Sequence, residues 1–314
     1  MAVDKKNQFL WVERYRPLTL KNIILPRSYK MFFSKAIKEK NIPNLLLYSS
    51  NPGSGKTTLA KAICLEMDAD YLYINSSLEN GIDVVRNRIE NYACVKSLSG
   101  KPKVVILDEF DGATRALQDS LRGFIEKYHN SCRFILTCNY KSKIITPLLS
   151  RVQSFDFNFK DEKNVQQMKP MVIKKMAAIL KNNNIEYSLD TIVKLVDVYF
   201  PDIRSLIQNC QKYSNINGRI DDNIFDYLKI DDSLYDYILE AKFEKARKFI
   251  IEKNYNVEEL FKDFYDNLLP KIPPQKRPQA ILEIAEYEYR NSFVINKEIN
   301  FSALLIELMR IIRE

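Results

Sequence analysis

Histidine occurs once in this 314-residue chain, at His129. That excludes a zinc site built from paired imidazoles and leaves no basis for histidine acid–base catalysis. Cysteine is nearly as scarce. Cys64, Cys94, Cys132, Cys138 and Cys210 make an odd number, none in C-x-x-C spacing, and several interrupt apolar runs. They read as reduced core residues of an intracellular protein, not as a disulfide framework. Although 46% of the residues are hydrophobic, no 18 apolar residues occur in succession, so a soluble protein without a membrane partner is expected. Met1–Asn7 is polar and has no apolar signal core, which argues against secretion. Acidic residues fall short of basic ones, 40 against 48, and the formal net charge of +8 suits an anionic partner without identifying it. The length is too great for one core and points to two or three domains.

Glycine is also rare, seven in all, yet Gly53 and Gly55 stand two positions apart. They belong to Ser50-Asn51-Pro52-Gly53-Ser54-Gly55-Lys56-Thr57-Thr58, which follows the apolar run Asn44–Tyr48 and precedes a helix-forming stretch, Leu59–Glu66. Strand, glycine loop and helix are the context of the phosphate-binding pattern G-x-x-x-x-G-K-[ST]. Glycines let backbone N–H groups curl around phosphate oxygens, and the helix N-terminus adds partial positive charge. Gly53, Ser54, Gly55, Lys56, Thr57 and Thr58 are therefore the expected triphosphate contacts, with Lys56 on the β- and γ-phosphates and the Thr57 hydroxyl on Mg²⁺. Ser50 replaces the first glycine of the pattern, at a position that shapes the start of the loop and supplies no ligand.

The third apolar run, Lys103-Val104-Val105-Ile106-Leu107, ends in Asp108-Glu109-Phe110-Asp111, about 50 residues after the loop. A buried strand that delivers carboxylates at its C-terminal edge suits Asp108 to the Mg²⁺ shell and Glu109 to activation of the attacking water. Further strands are predicted over 71–75, 133–138 and 153–157, and helices over 27–40, 81–94 and 114–128. Asn139, at the end of the fourth strand, is placed to contact the γ-phosphate or the water beside it, although taken on its own it reads as a turn residue. Alternating strands and helices imply an α/β unit with a parallel five-stranded sheet and helices on both faces, over residues 1–160. Beyond Lys160 the β signal stops. Short helices over 164–182, 188–199, 202–214 and 221–228 suggest a helical domain at 161–230, with Phe200-Pro201-Asp202 as a break and cap. Longer helical stripes, one through Leu234–Ile250, then fill a third region, 231–314.

These motifs together resemble the AAA+ ATPases of sliding-clamp loaders, over nearly the whole chain. The kinship is nearest to the large clamp-loader subunits of T-even-type tailed phages, then to small subunits of replication factor C. It is carried by Val12-Glu13-Arg14-Tyr15-Arg16-Pro17, the loop Asn51–Thr58, Leu107–Asp111, Gln118 with Leu121-Arg122, Thr137-Cys138-Asn139, Ser150-Arg151 and Phe200-Pro201-Asp202-Ile203-Arg204. The resemblance implies a helical lid at 161–230 and an oligomerisation collar at 231–314. Val12, Glu13, Arg14, Tyr15 and Ile24 become adenine and ribose contacts. Asn139 becomes sensor 1, Arg204 a lid arginine that touches nucleotide, and Arg151 an arginine finger acting on a neighbouring subunit's ATP. Val152 follows Arg151 where the family usually has cysteine.

Gln118 resembles a residue that couples the site to DNA-facing helices. The partners so implied are a sliding clamp, a distinct small clamp-loader subunit, other copies of the chain in a ring-like assembly, and primer–template DNA. The setting would be the cytoplasm of an infected bacterium. Arg86 and the turn Gly112–Arg115 are the candidate DNA-phosphate contacts. Two other readings compete: a different DNA-remodelling AAA+ motor, such as a helicase loader or branch-migration protein, and a non-hydrolysing ring member. The second is disfavoured because Lys56, Asp108, Glu109 and Arg151 are all present.

Overall fold

Three short apolar runs, Leu45–Leu47, Val104–Leu107 and Phe134–Leu136, call for burial on both faces, and a parallel sheet sandwiched by helices is the arrangement that provides it. In the computed structural model, β1 (Leu45–Tyr48), β2 (Asp70–Asn75), β3 (Lys103–Asp108), β4 (Arg133–Cys138) and β5 (Gln153–Asp156) form such a sheet, in the order β2-β3-β4-β1-β5 with every pair parallel. Residues 9–77, 82–95, 100–228, 231–253, 255, 257–291 and 293–314 are described. The chain folds into two compact units, residues 1–224 and 225–314.

In the first unit, α1 (Trp11–Arg14) and α2 (Arg27–Lys38) precede the sheet, and α3 (Lys56–Glu66), α4 (Ile82–Cys94), α5 (Arg115–Lys127) and α6 (Thr146–Leu149) connect its strands. Leu46, Val105, Leu107 and Leu136 share one core with Val85 and Ile89 of α4 and Leu117 and Leu121 of α5. The alternate strand residues Leu45, Leu47, Val104, Ile106 and Ile135 are equally buried and face the other way, toward the side that α3 covers. Burying both faces leaves the C-terminal strand ends as the place where polar residues gather.

After the sheet come α7 (Glu162–Asn182), α8 (Leu189–Tyr199) and α9 (Ile203–Asn217). Asp202 caps α9 by accepting the Ser205 N–H at 3.0 Å, as the sequence anticipates, and Gly218 closes the helix with φ +71°. The β signal does not end at Lys160: a parallel two-residue ladder, β6 (Glu186–Tyr187) with β7 (Arg219–Ile220), ties the start of α8 to the end of α9. Two-residue strands are too short to show a period of two, which is why the pattern missed them. The apolar arm at the start of the chain docks on α9. Trp11 is buried, and its backbone N–H donates to the Gln211 side-chain oxygen at 2.8 Å.

After α10 (Asn223–Leu228), the second unit is built on α11 (Asp232–Leu239), α12 (Phe243–Lys253), α13 (Val257–Asp263), α14 (Arg277–Asn291) and α15 (Lys297–Arg313). Leu234, Ile238, Ala246, Leu260, Phe264, Leu304 and Leu308 form its core. The stripe through Leu234–Ile250 is two helices, because the chain reverses at Ala241, which has φ +54°. Among the described residues no helix is long and apolar enough to cross a membrane.

Candidate nucleotide-binding and hydrolytic site

Three strands deliver their following residues to one edge of the sheet. β1 leads into the glycine loop, β3 into Asp108 and Glu109, and β4 into Asn139, and all three meet in one pocket. Gly53 and Gly55 take φ +69° and +96°, conformations that residues with a Cβ rarely adopt. Gly53 also lies against the start of α9. A Cβ there would stand 1.8 Å from Asp202 Oδ1. The loop's beginning is held from the segment just after β5: the Ser50 N–H and hydroxyl both donate to Asn158 Oδ1, at 3.0 and 2.7 Å. Serine at the first pattern position thus contributes a tether that glycine lacks.

Lys56 is buried at the first position of α3, and its ammonium donates to the Ser49 and Asn51 carbonyls at 3.3 and 3.2 Å. Burial pulls its pKa below the ordinary value, while Cys138, Asp111 and Asp108 pull the other way and Arg204 adds to the fall. A polyanion in the loop favours the charged form. The Ser54 hydroxyl is buried in the same loop without a hydrogen-bond partner. An orphaned donor beside inward-turned glycines is what a phosphate oxygen would satisfy.

Asp108 is buried and accepts three hydroxyl bonds: Thr57 at 2.7 Å and Thr137 on Oδ1, and Tyr73 at 2.7 Å on Oδ2. Thr57 and Asp108 are a hydroxyl and a carboxylate in contact, an all-oxygen donor set that fits Mg²⁺ bound mainly through phosphates and water. Among the described residues no cluster of three or more His, Cys, Asp or Glu side chains stands ready to hold an ion. Glu109 lines the pocket with φ +52° and is exposed. Asn139 lines it too, and its N–H donates to Asp111 Oδ2 at 3.2 Å, so Asp111 fixes the strand end that carries it.

The remaining walls come from the chain start and from α7 and α9. Val12, Tyr15 and Ile24 line the pocket as expected, with Arg16, Pro17 and Ile23 beside them, and Arg204 enters from α9 with Ile203 and Ile207. Glu13 and Arg14 are not in the lining. Glu13 pairs with Arg16 at 2.5 Å, and Arg14 donates to Asn183 Oδ1 at 3.1 Å. The cause is helical: Trp11–Arg14 is one turn of helix, so Val12 and Tyr15 share a face that Glu13 and Arg14 leave. Three further residues belong to no motif: Lys175 of α7, which also lines the pocket, Tyr73, which bonds Asp108, and Asn158, which holds Ser50. A lysine on the polar face of a long helix carries no signal. Tyr73, however, is the polar-tipped residue of β2 that registers beside Ile106, two positions from Asp108.

Residues 46–160 match the family model for ATPases associated with various cellular activities. The sliding-clamp-loader large subunits of Enterobacteria phage T4 and Escherichia phage RB69 are 32% and 31% identical to the chain, each alignment covering 98% of both proteins. The replication factor C small subunit of Saccharolobus solfataricus is 33% identical over 97% of the chain and 95% of its own length. The chain belongs to the AAA+ clamp-loader family. Among solved structures, the RuvB Holliday junction branch migration motor of Thermotoga maritima aligns with a TM-score of 0.54 over 83% of the chain and 93% of its own, at 17% identity, a likeness of fold alone.

In this clamp-loader chain Arg151 stands outside the pocket lining. Its guanidinium pairs with Glu126 of α5, with Nε at 2.8 Å, and donates to the Pro147 carbonyl at 2.7 Å. Gln118 is buried between two segments. Its amide donates to the Ala113 and Lys143 carbonyls at 3.3 and 3.0 Å, and its oxygen accepts the Ile145 N–H at 2.9 Å. It therefore ties the start of α5 to the segment that leads through α6 to Arg151. Arg86 is exposed on α4, and Thr114 caps α5 beside exposed Arg115.

Proposed function

We propose that the chain is an ATP-hydrolysing subunit of a sliding-clamp loader, and that ATP binding sets the state in which the loader opens a clamp and holds primer–template DNA. The observation that carries this reading is the meeting of the glycine loop, Asp108, Glu109, Asn139 and Arg204 in one pocket. Backbone N–H groups of the loop and Lys56 hold the triphosphate. Thr57 and Asp108 hold Mg²⁺, which when bound neutralises charge on the phosphate oxygens. Glu109 takes the proton of the attacking water, and Asn139 orients that water against the γ-phosphate. Arg204 ties the position of α9, and with it the lid formed by 161–230, to the presence of nucleotide.

Arg151 completes the site of a neighbouring copy, which makes assembly a condition of hydrolysis. Bound ATP then bridges two subunits and stabilises one arrangement of the ring, and hydrolysis releases the clamp on DNA. The collar at 231–314 holds the copies together with a distinct small subunit. The RuvB likeness bears on fold only and supports no second reading.

DNA contact in this scheme is mainly to phosphates, through Arg86 and the Gly112–Arg115 turn. The affinity of the ATP-bound loader for primed DNA is therefore expected to fall steeply and log-linearly with salt concentration, as release of phosphate counterions requires. The check is a titration of labelled primer–template at several ionic strengths. An affinity indifferent to salt would sink the proposed phosphate grip.

A further inference from the structure

Thr137 is 2% exposed at the C-terminal end of β4, the one polar side chain in the run Phe134-Ile135-Leu136-Thr137-Cys138. Because Leu136 registers with Leu107, Thr137 stands beside Asp108 on the neighbouring strand. Its hydroxyl makes two bonds of opposite sense. It donates to Asp108 Oδ1, and it accepts the backbone N–H of Glu109 at 3.1 Å. A hydroxyl has one proton and two lone pairs, so both bonds are satisfied at once. One buried side chain therefore holds both acidic residues of the site, one by its carboxylate and one by its backbone.

The second bond has a job to do. Glu109 takes φ +52°, a left-handed conformation that non-glycine residues keep only where their surroundings impose it. Three bonds pin its backbone there: its N–H donates to Thr137, and its carbonyl accepts the Gly112 N–H at 2.9 Å and the Ser77 hydroxyl at 3.5 Å. The left-handed turn directs the Glu109 side chain away from the strand path, while Asp108, one residue earlier, stays buried. Without the Thr137 hydroxyl the Glu109 amide has lost its acceptor and Asp108 one of its three donors.

We propose that Thr137 is a positioning residue for hydrolysis, setting where the Glu109 carboxylate stands relative to Asp108, and so governing turnover rather than nucleotide affinity. This rests on the reading of Glu109 as the residue that activates water. Thr137 lines the same pocket, but its hydroxyl is taken up by Asp108 and the Glu109 N–H, so in this scheme it acts through them. The glycine loop and Lys56 lie on a different strand end and bond to other groups, and Thr57 meets Thr137 only through Asp108 Oδ1, which accepts from both hydroxyls.

The test compares Thr137→Val, which keeps the shape and removes the hydroxyl, with Thr137→Ser, which keeps the hydroxyl. Both are measured in the assembled loader for ATP affinity with a fluorescent analogue and for single-turnover hydrolysis. Thr137→Val is expected to slow hydrolysis about 10- to 100-fold, within the span of misplaced acid–base groups, while ATP affinity shifts by no more than about threefold. Thr137→Ser is expected to restore the rate to within about threefold of the parent. In a Glu109→Gln background the valine change should add little, because the group it positions is already disabled. If Thr137→Val does not fold, Thr137→Ala carries the same expectation.

A parental rate in Thr137→Val, a serine variant as slow as the valine one, or an affinity loss that matches the rate loss would each overturn the proposal. Normal turnover in Glu109→Gln would instead overturn the hydrolytic reading beneath it.

Discussion

Arg151→Ala, made in every copy of an assembled loader, is expected to leave ATP binding intact and to cut stimulated hydrolysis by roughly 10³-fold or more. The separation follows from where the side chain stands. Arg151 is absent from the lining of its own chain's pocket, so its loss removes no contact that the bound nucleotide makes there. A guanidinium brought against the γ-phosphoryl group of a neighbour neutralises charge as it develops, in addition to the Lys56 and Arg204 that the pocket already holds. In the free chain the group is tethered to Glu126, whose side chain is 56% exposed. Exposed pairs of this kind contribute about 0–1 kcal/mol. The tether therefore yields to a phosphate, and its loss in the variant leaves the fold standing. The measurement is steady-state hydrolysis with clamp and primed DNA, beside nucleotide affinity. Unchanged stimulated turnover in the all-variant complex would refute the finger role.

Glu109→Gln carries the second large effect. The amide keeps the size of the carboxylate and, with it, the turn held by Thr137 and Gly112. It cannot accept the proton of water. Single-turnover hydrolysis is expected to fall about 10²–10⁴-fold, with ATP affinity equal to or above that of the parent, because the loop and Thr57 are untouched. The variant should accumulate in its ATP-bound state and, in the clamp-loader scheme, hold DNA longer. A glutamine variant that hydrolyses at the parental rate would remove Glu109 from the mechanism and leave Asp108 and Asn139 to be reconsidered.

How much of this was readable beforehand divides along physical lines. The three central strands were legible because burial on both faces makes β1, β3 and β4 short, nearly unbroken apolar runs, while the edge strands β2 and β5 are half-exposed and followed from their place between helices; Gly53, Gly55 and Pro17 punctuate the rest. The chemistry at the strand ends was legible for the same reason, since Asp108, Glu109 and Asn139 are polar residues closing apolar runs. Two things were not. A residue's role inside a helical turn depends on its angle about the axis, so Val12–Tyr15 read as a continuous contact although only Val12 and Tyr15 face the pocket. Contacts between distant segments leave no trace in spacing either. Asn158 anchoring Ser50, Asp111 fixing Asn139 and Lys175 reaching the pocket from α7 are of this kind. The reversal at Ala241 shows the same limit at the level of elements, because an apolar stripe keeps its period across a break that a single left-handed residue makes.

The most direct measurement is the rate of ATP hydrolysis by the assembled protein under four conditions: alone, with sliding clamp, with primed DNA, and with both. The clamp-loader account predicts weak turnover alone, partial stimulation by either ligand, and strong stimulation only when both are present. Hydrolysis driven fully by DNA and indifferent to the clamp would contradict it, and would make the chain a DNA-remodelling motor of another kind.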